Sequence, residues 1–183
     1  MPDLYRYQAA TTPGPNGSRA RPLDDGWMEL AEVGGWVYVA GEGVPDVPGA
    51  TPEPTELTPG IVAASRRHQF LLELLAQKRW EAETGGVEWS GWPVATDVGS
   101  QGKLTAAYQA AATGLRADGG AWKFADGIAR TMTNAQLQEM ALTVMAHVQA
   151  CFDNEAAIAE QIRASALPDE AWIQGGWPLA SLR

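Results

Sequence analysis

The fold is decided by residues 78–108, KRWEAETGGVEWSGWPVATDVGSQGKLTAAY. The stretch begins in the last turns of a helix, which we expect to end at the Gly-Gly pair 85–86. The Ser-Gly pair 90–91 lies between two Trp-bearing segments and predicts a β-hairpin. Asp97 is suited to cap the N-terminus of a second helix. Helix, hairpin and helix therefore follow one another without a long loop.

Helical periodicity extends on both sides of this stretch. We predict a first helix from Thr58 or Pro59 to about Thr84, because its apolar residues recur at helical spacing. The second helix should run from Asp97 to about Arg116, with Leu115 on its apolar side. An Asp-Gly turn within residues 121–131 predicts a second hairpin, and a last long helix is expected over residues 133–166.

Residues 1–60 have a different composition. They contain nine of the twelve prolines and nine of the twenty glycines, which interrupt the chain too often for helices. Aromatic and β-branched residues at 4–7, 26–30 and 36–40 favour short strands, which we expect to form a small β-meander. Residues 44–60 contain five prolines and predict an extended linker.

These patterns predict an α+β fold, in which a small N-terminal β-meander module precedes three helices with two short hairpins. Short connections between the helices favour their packing against one another. The predicted divisions of the chain are a β-rich module at 1–43, a Pro-rich linker at 44–60, a helical domain at 61–167 and an extended tail at 168–183.

Composition excludes several classes of function. The 183 residues are 45% hydrophobic and 19% charged, with a mean hydropathy of −0.20, which is typical of a globular protein. A net charge of −9 opposes binding to nucleic acid. The chain has no apolar run that could span a membrane and no secretory signal at its N-terminus, so we expect it in a cytoplasm. Its single cysteine excludes an internal disulfide and a multi-cysteine zinc module.

One face of the last helix carries reactive side chains. His147, Cys151 and Glu155 are four residues apart, so they could point the same way as metal ligands or as a Cys/His nucleophile pair. No second His or Cys cluster completes a coordination shell. The surrounding stripe is apolar, which does not suit a thiolate. We favour a structural interpretation, with Cys151 in the core.

Other polar groups give weaker signals. His68 beside Arg66 and Arg67 could bind an anion near a helix N-terminus, although a solvated helix face explains the three residues better. Neighbouring carboxylates such as Asp169 and Glu170 are interpreted as surface charge. No phosphate-binding, dinucleotide-binding, hydrolase or metalloprotease motif is present. We therefore predict no catalytic residue, no cofactor and no metal site.

The eight tryptophans are the unusual feature of the composition. Most lie beside Gly, Ser or Pro in turn-like sequence, and Trp80 alone lies within a clear helix. Turn-borne indoles could close the edge of a small core, or they could anchor a protein partner. The residues that we predict to bind a partner are Trp27, Trp36, Trp172 and Trp177.

Four motifs in order resemble a known family over about residues 61–166. They are Lys78–Val87, Ala95–Tyr108, Trp122–Gly127, and Met132–Leu137 followed by Ala146–Glu155. The stretch resembles the C-terminal domain of unknown function found in many tail-fibre and tail-fibre-assembly proteins of Proteobacterial prophages. Gly99 and Gly102 depart from the family pattern, which more often has helix formers there.

The resemblance implies a non-enzymatic bacteriophage tail protein, with no catalytic residue to transfer. We expect a tail-fibre accessory or assembly factor that binds the fibre or baseplate, in the host cytoplasm during assembly or in the virion tail. The alternatives are a stoichiometric structural subunit of the tail or baseplate, and a small enzyme or ligand-binding protein with an unrecognised pocket. A homo-oligomer is an expectation by analogy with the symmetry of fibres.

Overall fold

A computed structural model describes residues 2–8, 21–23 and 25–178. It confirms the predicted α+β class, with strands first, then three helices and two short hairpins.

The chain divides into two compact units, Met1–Leu74 with Ile158–Trp172 and Leu75–Ala157 with Ile173–Arg183. The elements in order are β1 (Asp3–Gln8), β2 (Met28–Val33), β3 (Trp36–Gly41), β4 (Glu53–Pro54), α1 (Pro59–Thr84), β5 (Val87–Trp89), β6 (Trp92–Val94), α2 (Val98–Ala112), β7 (Ala121–Lys123), β8 (Ala129–Thr131), α3 (Asn134–Ala164) and a 3-10 helix (Glu170–Gln174).

The N-terminal strands form one antiparallel sheet in the order β2-β3-β1-β4. β2 and β3 are a hairpin, as in a meander, but β1 lies on the other side of β3 and pairs with it from Asp3↔Gly41 to Gln8↔Trp36. The strand order therefore differs from that of the predicted meander. Pairing between sequence-distant strands leaves no local signal, which is why the sequence did not reveal it.

One face of this sheet has its own small core. Tyr7, Val37, Val39 and Val47 are buried there, and Tyr5, Trp27 and Ala50 pack around them. Val47 lies within the predicted linker, and Glu53–Pro54 of the same segment pairs with β1. Residues 44–60 are thus partly built into the sheet. Proline is tolerated at such a position because β4 is an edge strand.

The two hairpins form where the sequence predicts them. Trp89 pairs with Trp92 across a two-residue turn, in which Ser90 and Gly91 have φ angles of 51° and 77°. Positive φ at both turn positions is the type I′ geometry that matches the twist of the strands. The second hairpin pairs β7 with β8, with the Asp126-Gly127 turn between them.

The helix boundaries follow their capping residues. Asp97 accepts a hydrogen bond from the Ser100 amide and caps α2, as predicted. α3 begins after a capping box, because Thr133 Oγ1 accepts from the Gln136 amide and Gln136 Oε1 accepts from the Thr133 amide.

The predicted end of α2 near Arg116 is wrong. The helix stops at Ala112, Gly114 follows with a φ of 74°, and Leu115 is exposed instead of lying on the apolar side. The reason is a local cap at Gly114, which has a left-handed backbone conformation. The Leu115 amide donates to the Ala110 carbonyl (2.8 Å) and the Gly114 amide to the Ala111 carbonyl (3.3 Å), which is a Schellman motif. Helical periodicity does not reveal such a cap, although the glycine itself is a local signal for it.

The second unit has the larger core. Its buried residues come from both hairpins, α2 and α3, with Met132, Leu137, Met140 and Ala141 fully buried. Beyond α3, the predicted extended tail contains the 3-10 helix Glu170–Gln174, because Asp169 accepts from the Ala171 and Trp172 amides. Residues 179–183 of that predicted tail lie outside the described residues. Within the described part of the chain, no helix has the length and apolarity needed to cross a membrane.

Arg116 provides a test of how the loop after α2 is held. Its guanidinium donates to Asn134 Oδ1 (2.6 Å), the Gly120 carbonyl (2.6 Å) and the Met132 carbonyl (3.2 Å). Hydrogen bonds to a charged group contribute about 1.5–3 kcal/mol. We expect Arg116→Ala to lower the free energy of unfolding by about 2 kcal/mol, measured by urea denaturation. Lys103→Ala, at an exposed position of α2, is the control. Equal effects of the two substitutions would contradict this role.

Candidate functional site

A cluster of polar side chains in the second unit is centred on Arg79. The Arg79 guanidinium pairs with Glu83 one turn along α1 and with Glu155 on α3, whose carboxylate is 3.2 Å away. It also stacks on the ring of Phe152, 4.7 Å from the centroid. Arg79 has acidic partners on two helices, so its charge is balanced where it is mostly removed from solvent.

Thr96 and Gln101 complete this cluster. Thr96 is fully buried, and its hydroxyl donates to the Glu83 carbonyl and accepts from the Gly86 amide (2.9 Å). Gln101 Nε2 donates to Glu83 Oε1 (3.1 Å) and to the Thr96 carbonyl (2.7 Å). We call Arg79, Glu83, Thr96, Gln101 and Glu155 the Arg79 cluster. It joins the end of α1 to the first turn of α2 and to α3.

The sequence patterns do not predict the Arg79 cluster, because no motif or helical spacing relates all five of its residues. Helical spacing groups Glu155 with His147 and Cys151 instead, and nothing in the pattern connects it with the other four residues. A usable signal exists, since Arg79, Glu83, Thr96 and Gln101 all lie within residues 78–108. Their side chains bind one another, so the arrangement holds elements together and presents no free acid or base.

His147 and Cys151 do not form a catalytic pair. His147 Nε2 lies 3.0 Å from the Ala82 carbonyl, which can only accept, so Nε2 carries the proton. The Cys151 sulfur lies 3.9 Å from that same nitrogen. Nε2 therefore cannot take the thiol proton. Burial raises the pKa of the Cys151 thiol, the Glu83 charge raises it further and Arg79 lowers it. The neutral thiol is favoured.

The metal alternative for this face of α3 has no geometric support. Glu155 is turned to Arg79, while His147 contacts a carbonyl of α1. Across the residues with described positions, no group of three His, Cys, Asp or Glu side chains is arranged to hold a metal ion.

The prediction that His68 lies on a solvated helix face is wrong. It is buried, with 4% of its surface exposed, and its ring nitrogens lie 2.7 Å from the carbonyls of Ala64 and Ser165. A backbone carbonyl faces each ring nitrogen, so any N–H of the ring has an acceptor within the chain. Arg67 pairs with Glu170 (3.2 Å). The ring of His68 is therefore closed to an anion, and it ties α1 to the chain after α3.

Trp27 and Trp36 are packed on the N-terminal sheet. The Trp27 ring covers Gly41, where an added Cβ would lie 2.6 Å from the indole, and it meets Tyr5 edge-on at 5.8 Å. The Trp36 ring carries the guanidinium of Arg6, 4.4 Å from its centroid. Both indoles are half-buried. Their predicted role in partner binding stays a prediction.

Trp172 and Trp177 are also half-buried. Trp177 Nε1 donates to the Ile173 carbonyl at 2.7 Å, which satisfies its polar atom within the chain. Trp172 lies in the 3-10 helix. A role for either residue in partner binding likewise stays a prediction.

Trp80 is the exposed indole. All eight tryptophans lie in the described part of the chain, and Trp80 is the one classed as exposed, with 56% of its surface accessible. The sequence interpretation passes over it because it lies in a helix. It lies on the outer side of α1, away from the buried residues Leu71 and Leu75, and that spacing could have identified it.

Cys151 tests the structural interpretation. We expect Cys151→Ser to lower the free energy of unfolding by about 1 kcal/mol, since it places a hydroxyl in a buried site. In the native protein the thiol should react with a disulfide reagent at pH 8 at least about a hundredfold more slowly than in denaturant. Equal labelling rates in the two conditions would mean that the thiol is accessible and activated.

Gly41 tests the packing of Trp27. We expect Gly41→Ala to cost about 1–3 kcal/mol of stability, because the new methyl group overlaps the indole ring. In a Trp27→Ala background the same substitution should cost less, because the ring is gone. Thermal unfolding of the four proteins measures both effects. An equal cost in both backgrounds would show that Trp27 does not cover Gly41 in solution.

Comparisons with known proteins identify one family. A search of curated proteins and a search of solved structures each found no match. A family model matches residues 66–174, which is more than half of the chain and includes the whole Arg79 cluster. The chain therefore belongs to the family described as domain of unknown function (DUF4376).

Proposed function

We propose that this chain is a non-enzymatic bacteriophage tail protein, an accessory or assembly factor that binds a tail-fibre or baseplate protein. The family description names no activity. The proposal takes its phage context from the four ordered motifs that resemble the C-terminal domain of tail-fibre-associated proteins. That ordered resemblance is the single observation that carries it.

The contacts of the motif residues support a binding module. The first motif supplies Arg79 and Glu83, the second supplies Thr96 and Gln101, and the fourth supplies Glu155. These side chains pair with one another by ion pairs and hydrogen bonds, although Arg79 Nε has no hydrogen-bond partner among the described residues, and such pairing suits a rigid scaffold. The raised pKa of Cys151 supports the same interpretation, because it disfavours a nucleophilic thiolate.

Trp80 is the residue that we propose for contact with the partner. An indole that is more than half exposed gains much from burial at an interface, where Trp is enriched among the residues that dominate binding energy. Lys78 pairs with Glu81 beside it, 3.8 Å apart, and gives the apolar ring a polar rim.

The place of action follows from this proposal. An assembly factor works in the host cytoplasm and binds the fibre before it joins the particle. The alternative is a stoichiometric subunit that stays in the tail. The assembly factor and the structural subunit need the same contact with a fibre or baseplate protein. They differ in whether the chain is retained in the virion.

Quantitative mass spectrometry of gradient-purified particles tests the proposal. We expect this chain to be absent from particles and present in lysate in a complex with the fibre or baseplate protein. A fixed ratio to that protein within particles would support the structural subunit instead. Absence from the particles and from any such complex would contradict the phage-tail function.

Trp80→Ala tests the proposed contact. We expect it to weaken binding to the fibre or baseplate protein at least tenfold, about 1.4 kcal/mol, with the circular dichroism spectrum unchanged. Leu115→Ala, at an exposed apolar residue of the loop after α2, is the matched control and should bind as the wild type does. Unchanged affinity of Trp80→Ala would rule out Trp80 as an anchor.

A further inference from the structure

The chain contains three Asp-Gly pairs, at residues 25–26, 118–119 and 126–127. Such pairs react slowly in water. The glycine amide nitrogen attacks the Cγ atom of the neutral aspartic acid, an N–C bond forms, and water leaves to give a cyclic succinimide. Water then opens the ring at either carbonyl and gives aspartate or isoaspartate, in which the backbone runs through the former side chain. Glycine favours the reaction because it has no side chain to obstruct ring closure.

The carboxylate of Asp126 is held by three hydrogen bonds. Arg130 donates from Nη1 to Oδ1 (3.1 Å) and from Nη2 to Oδ2 (2.6 Å), and the Ile128 amide donates to Oδ1 (2.9 Å). These bonds keep the pKa of Asp126 below its ordinary value, and the largest contribution comes from Arg130. Succinimide formation needs the neutral acid, whose hydroxyl leaves as water. The ionised, bonded carboxylate is therefore a poor reactant.

The attacking nitrogen of this pair is held as well. The Gly127 amide donates to the Phe124 carbonyl (3.0 Å), and the Phe124 amide donates to the Ile128 carbonyl (3.0 Å). Gly127 has a φ of 80°, the left-handed conformation that glycine adopts readily in turns. Its nitrogen has to leave a closed, hydrogen-bonded turn before it can reach Cγ of Asp126.

Arg130 is fixed in place by two aromatic rings. Its guanidinium carbon lies 5.1 Å from the ring centroid of Trp92 and 4.9 Å from that of Phe124. The side chains of Arg130 and Asp126 are 21% and 27% exposed, so solvent screens their pairing only in part. Stacking and a two-point contact with one carboxylate together restrict the guanidinium to this position.

The other two pairs are bonded less completely. Asp118 Oδ1 accepts from the Asn134 amide at the start of α3 (2.6 Å), and this is the single bond of its carboxylate among the described residues. Asp25 is exposed, and its carboxylate forms no hydrogen bond or ion pair within the described part of the chain. The three aspartates thus form a series from a clamped carboxylate to a solvated one.

We propose that Asp126-Gly127 is an isoaspartate site that Arg130 keeps closed, and that Asp25-Gly26 isomerises in the folded protein. Arg130 acts by holding the Asp126 carboxylate away from the Gly127 nitrogen. The solvated carboxylate of Asp25 has no such restraint. This proposal does not depend on the phage-tail function.

The protected turn supports the contact between the two hairpins. Isoaspartate at position 126 would add a backbone carbon to the turn between β7 and β8. Phe124, which precedes this turn, is buried in the core, and the Ala125 amide donates to the Pro93 carbonyl of β6 (3.0 Å). A longer turn would disturb both contacts. Arg130 therefore protects the packing of the hairpins from chemical ageing.

Isoaspartate mapping of the full chain tests the proposal. The protein is incubated at neutral pH in native buffer and in urea, and mass spectrometry with electron-transfer fragmentation assigns isoaspartate at each position. This separates any signal from Asn16, which lies outside the described residues. In urea, residues 25 and 126 should isomerise at comparable rates. In native buffer, residue 126 should isomerise at least about tenfold more slowly than residue 25, the factor that one bond to a charged group supplies. Equal native rates at the two positions would overturn the proposal.

Arg130→Ala tests the role of the guanidinium. We expect isomerisation at residue 126 in native buffer to become at least about tenfold faster, with residue 25 unchanged. Lys123→Ala removes an exposed positive charge from β7 of the same hairpin and is the matched control, in which residue 126 should stay protected. Arg130→Lys keeps the charge without the paired donors and should give an intermediate rate.

Amide hydrogen exchange establishes whether the hairpin stays closed in each variant. An unchanged rate at residue 126 in Arg130→Ala would overturn the protective role of Arg130. If the hairpin opens in Arg130→Ala, the comparison passes to Arg130→Lys, and a closed Arg130→Lys hairpin with the wild-type rate would overturn that role.

Discussion

The Arg79 cluster is the polar joint between α1, α2 and α3 in the second unit. One guanidinium pairs with Glu83 on its own helix and with Glu155 on α3, and it stacks on Phe152. Glu83 also binds Gln101 through its side chain and Thr96 through its backbone. Removing Arg79 leaves the partly buried carboxylates of Glu83 and Glu155 without a cation, which is costly. The geometry of α1, α2 and α3 in this unit is therefore set by polar bonds in addition to apolar packing.

Local features of the fold were predictable from the sequence, and contacts between distant residues were not. The Asp97 cap and the Ser90-Gly91 turn act within a few residues, so the pattern of residue types identifies them. The position of β1 beside β3 is set by pairing between residues 3–8 and 36–41, which are far apart in the sequence. The end of α2 differs from this pattern, because Gly114 closes the helix in a local Schellman motif. Hydrophobic periodicity carries no information about the strand pairing or about this cap.

The candidate site shows the same limit. The grouping of His147 with Cys151 on one face of α3 was correct, because helical spacing fixes it. Their chemistry depends on two residues of another helix. The Ala82 carbonyl accepts the hydrogen bond of His147 Nε2, and the Glu83 charge helps to raise the pKa of the Cys151 thiol. His68 is buried for a comparable reason, because carbonyls from α1 and from the chain after α3 enclose it. Sequence spacing identified the face, and tertiary contacts determined its chemistry.

A double-mutant cycle between Arg79 and Glu155 tests most directly whether the Arg79 cluster is a structural joint. Free energies of unfolding would be measured for the wild type, Arg79→Met, Glu155→Gln and the double variant. A joint between α1 and α3 predicts that the two substitutions are coupled by about 1–3 kcal/mol. Effects that add to within about 0.5 kcal/mol would contradict it, because the two side chains would then contribute independently.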